Sequence, residues 1–144
     1  MSASNIKCGL AASAAALLAG CGAGAQPFGL TDLSGAELFE RFCAACHGVE
    51  GRGDGPVAAG MSTAVPDLTR IAQRNDGEFP AGTIRETIDG RSLAAAHGTR
   101  AMPVWGYEFW VEEGADITAE QEAREIVRRL VQHLAEMQAP ARGE

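Results

Sequence analysis

The stretch "FCAACHG", Phe42 to Gly48, constrains this chain more than any other. Two alanines separate Cys43 from Cys46, and His47 follows at once. Three such side chains in so short a run admit three readings: a zinc half-site, a redox disulfide or a haem attachment site. Structural zinc needs four ligands, and no second CxxC and no HxxxH stands elsewhere. A thioredoxin-like dithiol follows a strand in an alternating strand–helix pattern, and the chain carries no β-strand signal. A haem meets all the constraints. In C-x-x-C-H both thiols form thioethers with the vinyl groups, on one side of the porphyrin plane. The adjacent histidine then turns a ring nitrogen towards the iron.

The start of the chain bears on the redox setting of those thiols. Residues 1–20 hold one charge, Lys7, and no acid, and "GLAASAAALLAG" is apolar but too short to span a bilayer. This reads as a secretory signal peptide. It ends in "LLAGC", which resembles the lipobox of bacterial lipoproteins and makes Cys21 the lipidated residue. Ordinary cleavage after Ala25, at "AGA", is the alternative. Cys8 leaves with the leader. Export favours disulfides, yet processing of Cys8 and Cys21 leaves only Cys43 and Cys46, so no disulfide framework is available. The expected organisation is a signal peptide over 1–20, a tether over 21–33, a globular domain over 34–138 and a tail over 139–144.

Helical signals dominate the domain, so the expected class is all-α. Ser34 and Glu37 have capping-box spacing, and Leu33 and Leu38 that of a hydrophobic staple. Leu38, Phe39 and Phe42 continue as an apolar stripe, and this helix delivers Cys43 near its end. "GVEGRGDGP" is a glycine-rich loop without the GK[ST] of a phosphate loop; its glycines are expected to let backbone pass close to the haem edge. "VPDLTRIAQRNDG" reads as a turn and a short helix stopped at Gly77. Thr83 with Glu86 predicts another capped helix, with Ile84 and Ile88 on one face and Gly90 as its stop. Thr118 with Gln121 predicts the start of the last helix. Acids come early in it (Glu120, Glu122, Glu125), arginines are interleaved and follow (Arg124, Arg128, Arg129), and Ala123, Ile126, Val127, Leu130, Val131, Leu134 and Met137 form one apolar face. No element is assigned to "GYEFWVEEGADI". Phe109 is expected in the core, while Tyr107 and Trp110 suit either a pocket lining or a partner surface.

The pieces "GAELFERFCAACHG", "GRGDGP", "VPDLT", "TIRETIDGR" and "RAMPVWG", with the C-terminal helix, resemble a class I monohaem cytochrome c of bacteria. The resemblance covers Ser34 to Met137. It implies the small cytochrome c fold, with N- and C-terminal helices crossing near a glycine and loops wrapping one covalent haem c. It places the axial methionine in the "MP-x-WG" motif, here Met102. A thioether is a soft ligand, and His/Met ligation raises the reduction potential; Pro103 keeps Met102 extended. Met61, His97 and an open sixth site are the alternatives. The resemblance also implies that the Pro66 carbonyl accepts a hydrogen bond from the far ring nitrogen of His47, with Pro56 as second choice. His133 stands where the family commonly has an aromatic, and is expected to be a partly exposed packing residue. Trp105 is expected near a haem propionate, with Arg91 and Arg100 as candidate propionate partners.

Charge narrows the partners. The chain has 12 basic and 19 acidic residues, a net charge of −7. Lys7 is its only lysine, so loss of the leader makes the remainder more acidic still. Nucleic acid is excluded as a partner by repulsion; redox proteins with a basic docking patch are favoured. The resemblance implies an electron carrier rather than an enzyme. Its expected partners are a dehydrogenase donor and an oxidase acceptor. Its expected place is the periplasmic face of a bacterial membrane, held by lipid on Cys21, with a soluble periplasmic form as the alternative. Other readings are a haem subunit of a larger dehydrogenase or oxidase, and a gas-binding or peroxidase-like protein with a labile sixth ligand.

Overall fold

The structure is a computed structural model that describes residues 28–91 and 101–140. The leader, Cys8, Cys21, Ala25, His97 and Arg100 lie outside the described residues. Among the described residues five α-helices run in order: α1 (Gly35–Phe42), α2 (Ala44–His47), α3 (Ala81–Asp89), α4 (Trp105–Glu112) and α5 (Ile117–Glu136). Short 3-10 turns at Leu30–Asp32, Ala58–Gly60, Leu68–Arg70 and Gln73–Asn75 punctuate the loops. No strand occurs among the described residues, and the protein is all-α.

α1 begins where its sequence asks it to. The Glu37 amide donates to Ser34 Oγ at 3.3 Å, and the Ser34 amide donates to Glu37 Oε2 at 2.8 Å. This reciprocal pair satisfies two amides that the first turn leaves without partners. α1 ends at Cys43, and α2 restarts at once with the remaining residues of the motif.

α5 crosses α1 at Gly35. A Cβ on Gly35 would lie 2.5 Å from the Arg129 carbonyl oxygen and 2.9 Å from His133 Cβ, so only glycine permits this approach. Beside it the His133 ring packs on Phe39, with centroids 5.4 Å apart. The imidazole thus serves as the flat packing group at the crossing. Leu38, Phe39, Phe109, Ile126, Val127 and Leu130 are almost wholly buried around it.

Three boundaries differ from the sequence expectation. α5 is capped by Asp116, whose carboxylate accepts from the Ala119 amide at 2.8 Å, two residues ahead of Thr118. Aspartate outranks threonine as a cap. The earlier start also leaves Ile117 exposed while burying Ala119 and Ala123 completely. α3 begins after Pro80, whose carbonyl accepts from the Ile84 amide at 3.0 Å. Thr83 therefore sits inside the first turn rather than at the cap. Gly90 does end α3, in a left-handed conformation with φ 71° and its amide on Glu86 O. The expected helix before Gly77 is instead two 3-10 turns, and Asp76 (φ 54°) already takes the left-handed conformation ahead of Gly77.

α4 had no counterpart in the sequence reading. Trp105 and Phe109, one turn apart, stack with centroids 5.5 Å apart and an interplanar angle of 22°. Phe42 meets both edge-on, at 5.5 and 5.2 Å. This aromatic triplet fastens α4 to the end of α1, directly beside the cysteine motif.

Candidate functional site

The break between α1 and α2 turns Cys43, Cys46 and His47 onto one apolar cavity of about 280 Å³. Both cysteines are free thiols. Burial, and then the neighbouring Cys46, pushes the Cys43 thiol up to about 12, so it is held neutral. Among the described residues no three His, Cys, Asp or Glu side chains are grouped to hold a metal ion. Among those residues the motif therefore has no geometric partner for a closed zinc site.

His47 is oriented from behind. Its Nδ1 lies 3.4 Å from the Pro66 carbonyl oxygen. A carbonyl only accepts, so Nδ1 carries the proton and Nε2 keeps its lone pair for a ligand. Burial lowers the pKa of the ring, and the Pro66 bond opposes that shift. Pro66, not Pro56, fills this role.

The glycine-rich loop closes on the motif itself. The Gly53 amide donates to His47 O at 2.7 Å, and the Gly55 amide to Cys46 O at 3.1 Å. A Cβ on Gly55 would meet the Ala45 and Ala44 carbonyl oxygens at 2.5 and 2.6 Å. Gly55 thus lies against the backbone of the CAACH turn, while a Cβ on Gly53 would instead meet the backbone of Val65 and Pro66.

Met102 lines the same cavity, carried there by the segment that leads into α4. So does Met61, the alternative to Met102 as a ligand and otherwise expected as a surface or packing residue. Leu68, Ile71, Ile84, Ile88, Leu130 and Leu134 complete an almost entirely apolar lining. Leu68 and Ile71 were not anticipated as lining residues, because short 3-10 turns have no stripe that points to their inner side.

Other candidates fall elsewhere. Arg91 is not available for a propionate: its guanidinium holds Asp89 at 2.7 and 2.9 Å and Glu120 at 2.6 Å. These two carboxylates, Asp89 foremost, raise its pKa, and the arginine in turn lowers theirs. Trp105 lines the cavity within the aromatic triplet. Trp110 donates its indole N–H to Asp116 O at 3.0 Å, bracing the α4–α5 turn, and Tyr107 is half exposed on the outer side of α4. Met137 packs at the edge of the core, where its Cε would lie 2.8 Å from a Cβ on Gly51.

The lining fits a haem: an apolar slot, two unpaired thiols, an imidazole with its lone pair directed by a carbonyl, and a thioether. The family model described as Cytochrome c matches residues 33–132. Neither a curated protein nor a solved structure matches the chain significantly. The family match spans well over half of the sequence and agrees with the all-α fold. It makes this a haem electron-transfer protein with covalently bound haem c. The chain belongs to the cytochrome c family.

Proposed function

We propose that this protein is a monohaem electron carrier whose haem is attached through Cys43 and Cys46 and ligated by His47 and Met102. The observation that carries the reading is the convergence of all four side chains on one apolar cavity. When bound, haem supplies a one-electron couple. The chain's own residues do the rest. The Cys43 and Cys46 sulfurs fix the group to α1 and α2. The Pro66 carbonyl holds the His47 ring in one orientation and raises its basicity as a ligand. The Met102 sulfur would serve as the second ligand to the iron and would favour the reduced state. The apolar walls exclude water and disfavour added charge inside. With His47 and Met102 both serving as ligands, no position would remain for a substrate, which supports carriage of electrons over catalysis.

The setting follows from the leader. Lipid on Cys21 would tether the domain to the periplasmic face of a bacterial membrane through residues 21–33. Confinement raises its effective concentration for membrane dehydrogenases and oxidases. The acidic surface suits partners with basic docking patches.

The test is spectroscopic. Acid–acetone treatment should leave the pigment on the protein, and the ferric form should show the weak long-wavelength sulfur–iron band. Met102→Ala should lose that band and bind carbon monoxide when reduced, whereas Met61→Ala should keep it. The opposite pattern would transfer the axial role to Met61. Rapid, complete carbon monoxide binding by the unmodified protein would favour a gas-binding function instead.

A further inference from the structure

Gln138 lies just past the end of α5 and beyond the span matched by the family model. Its side chain is more heavily engaged than that position suggests. Oε1 accepts from the Ala72 amide at 2.9 Å. Nε2 donates to Leu68 O at 2.9 Å and to Leu134 O at 2.6 Å. The next residue adds a backbone bond, from the Ala139 amide to Thr69 O at 2.8 Å. One amide group therefore caps a free carbonyl at the end of α5 and grips the 68–72 segment at both ends.

That segment is a wall of the haem cavity. Leu68 and Ile71 turn their side chains into it. Pro66, the acceptor for His47, stands two residues ahead of Leu68. The intervening Asp67 leaves little slack, because its carboxylate accepts from the Thr69 amide at 2.9 Å and the Thr69 hydroxyl at 2.6 Å. The Leu68 amide is also fixed, donating to Gly51 O at 2.6 Å. A displacement of Leu68 would therefore move the Pro66 carbonyl. At 3.4 Å its bond to Nδ1 is already long and has little tolerance for further separation.

We infer that Gln138 is a positioning residue for the haem iron ligand. Through its bonds to Leu68 and Ala72 it holds the Pro66 carbonyl against His47 Nδ1, and so sets how strongly the imidazole donates. This rests on the reading that His47 ligates the iron. The acceptor on Nδ1 makes the ring a better donor and stabilises oxidised iron. Removing the clamp should therefore raise the midpoint potential.

The experiment uses the full-length holoprotein. Gln138→Met preserves much of the side-chain volume but removes all three hydrogen bonds. Solvent exchange of the His47 Nδ1 proton, followed by NMR, should accelerate about five- to tenfold, the scale of one lost hydrogen bond, and the midpoint potential should rise. Arg129→Ala is the control. It cuts a different tie of α5, to the segment before α1, and should lower the melting temperature without moving either signal. If Gln138→Met fails to accumulate, Gln138→Glu is measured instead, since it removes the donor to Leu68 and Leu134. The inference is overturned if the Gln138 variant loses stability while proton exchange and potential match those of the unmodified protein. It is equally overturned if Arg129→Ala moves both signals as far. Absence of histidine ligation in the unmodified holoprotein would defeat the site assignment and this inference together, which separates that failure from a failure of Gln138 alone.

Discussion

At Gly35 the contact between α1 and α5 leaves no room for a side chain. The nearest obstacle is the Arg129 carbonyl, which belongs to the helix backbone and cannot swing aside. Gly35→Ala should cost about 1–3 kcal/mol, the usual scale of overpacking, read as a lower denaturant midpoint. The motif residues were readable in the sequence because Cys43, Cys46 and His47 are neighbours in the chain, so their spacing in space follows from one helical turn. Pro66 was identified only through the family resemblance, since nothing local says that a carbonyl will face an imidazole. The role of Arg91 is not legible in the sequence for the converse reason. Its partner Glu120 lies on α5, and only the folded chain shows that the guanidinium is already engaged.

Among the elements, α5 is the clearest in the sequence and still misleads at its start. Both Asp116 and Thr118 are capable caps, and side-chain spacing alone cannot choose between them. Burial of Ala119 and Ala123 decides for Asp116. Asp116→Ala should therefore destabilise the protein by about 1 kcal/mol, whereas Thr118→Ala should leave a thermal melt nearly unchanged. α4 escaped notice because its apolar residues do not form a single stripe. Trp105 and Phe109 face inward, while Tyr107 and Val111 remain substantially exposed. A helix apolar on both sides has weak periodicity, so it resembles an irregular linker until its packing is seen. The α1 box, by contrast, was readable because cap, reciprocal acid and apolar stripe all agree on the same boundary.

Over the whole molecule, Arg129 of α5 joins the two ends of the domain. Arg129 donates to Leu33 O at 2.7 Å and also to Thr31 O, while Glu125 holds it at 2.9 Å. Glu113, after α4, accepts from the Leu30 amide at 2.8 Å. Arg128 first and Arg129 second lower the Glu125 carboxyl from its ordinary 4.5 to about 2. A depressed carboxyl stabilises the fold above its unfolded value, and that contribution disappears as pH falls through the folded value. Melting temperatures should thus decline between about pH 4.5 and 2. Glu125→Gln should be less stable than the unmodified protein at neutral pH, and the gap should narrow across that window. A gap that stays constant with pH would show that the ion pairs contribute nothing to the decline.

The same seam decides what would become of the domain if the proposed lipid tether at Cys21 exists and is cut. Among the described residues, the bonds that secure the amino-terminal approach begin at Gly29, so a protease acting ahead of Phe28 would sever none of those. On that proposal, shedding would change a captive of one surface into a traveller between surfaces, with its core intact.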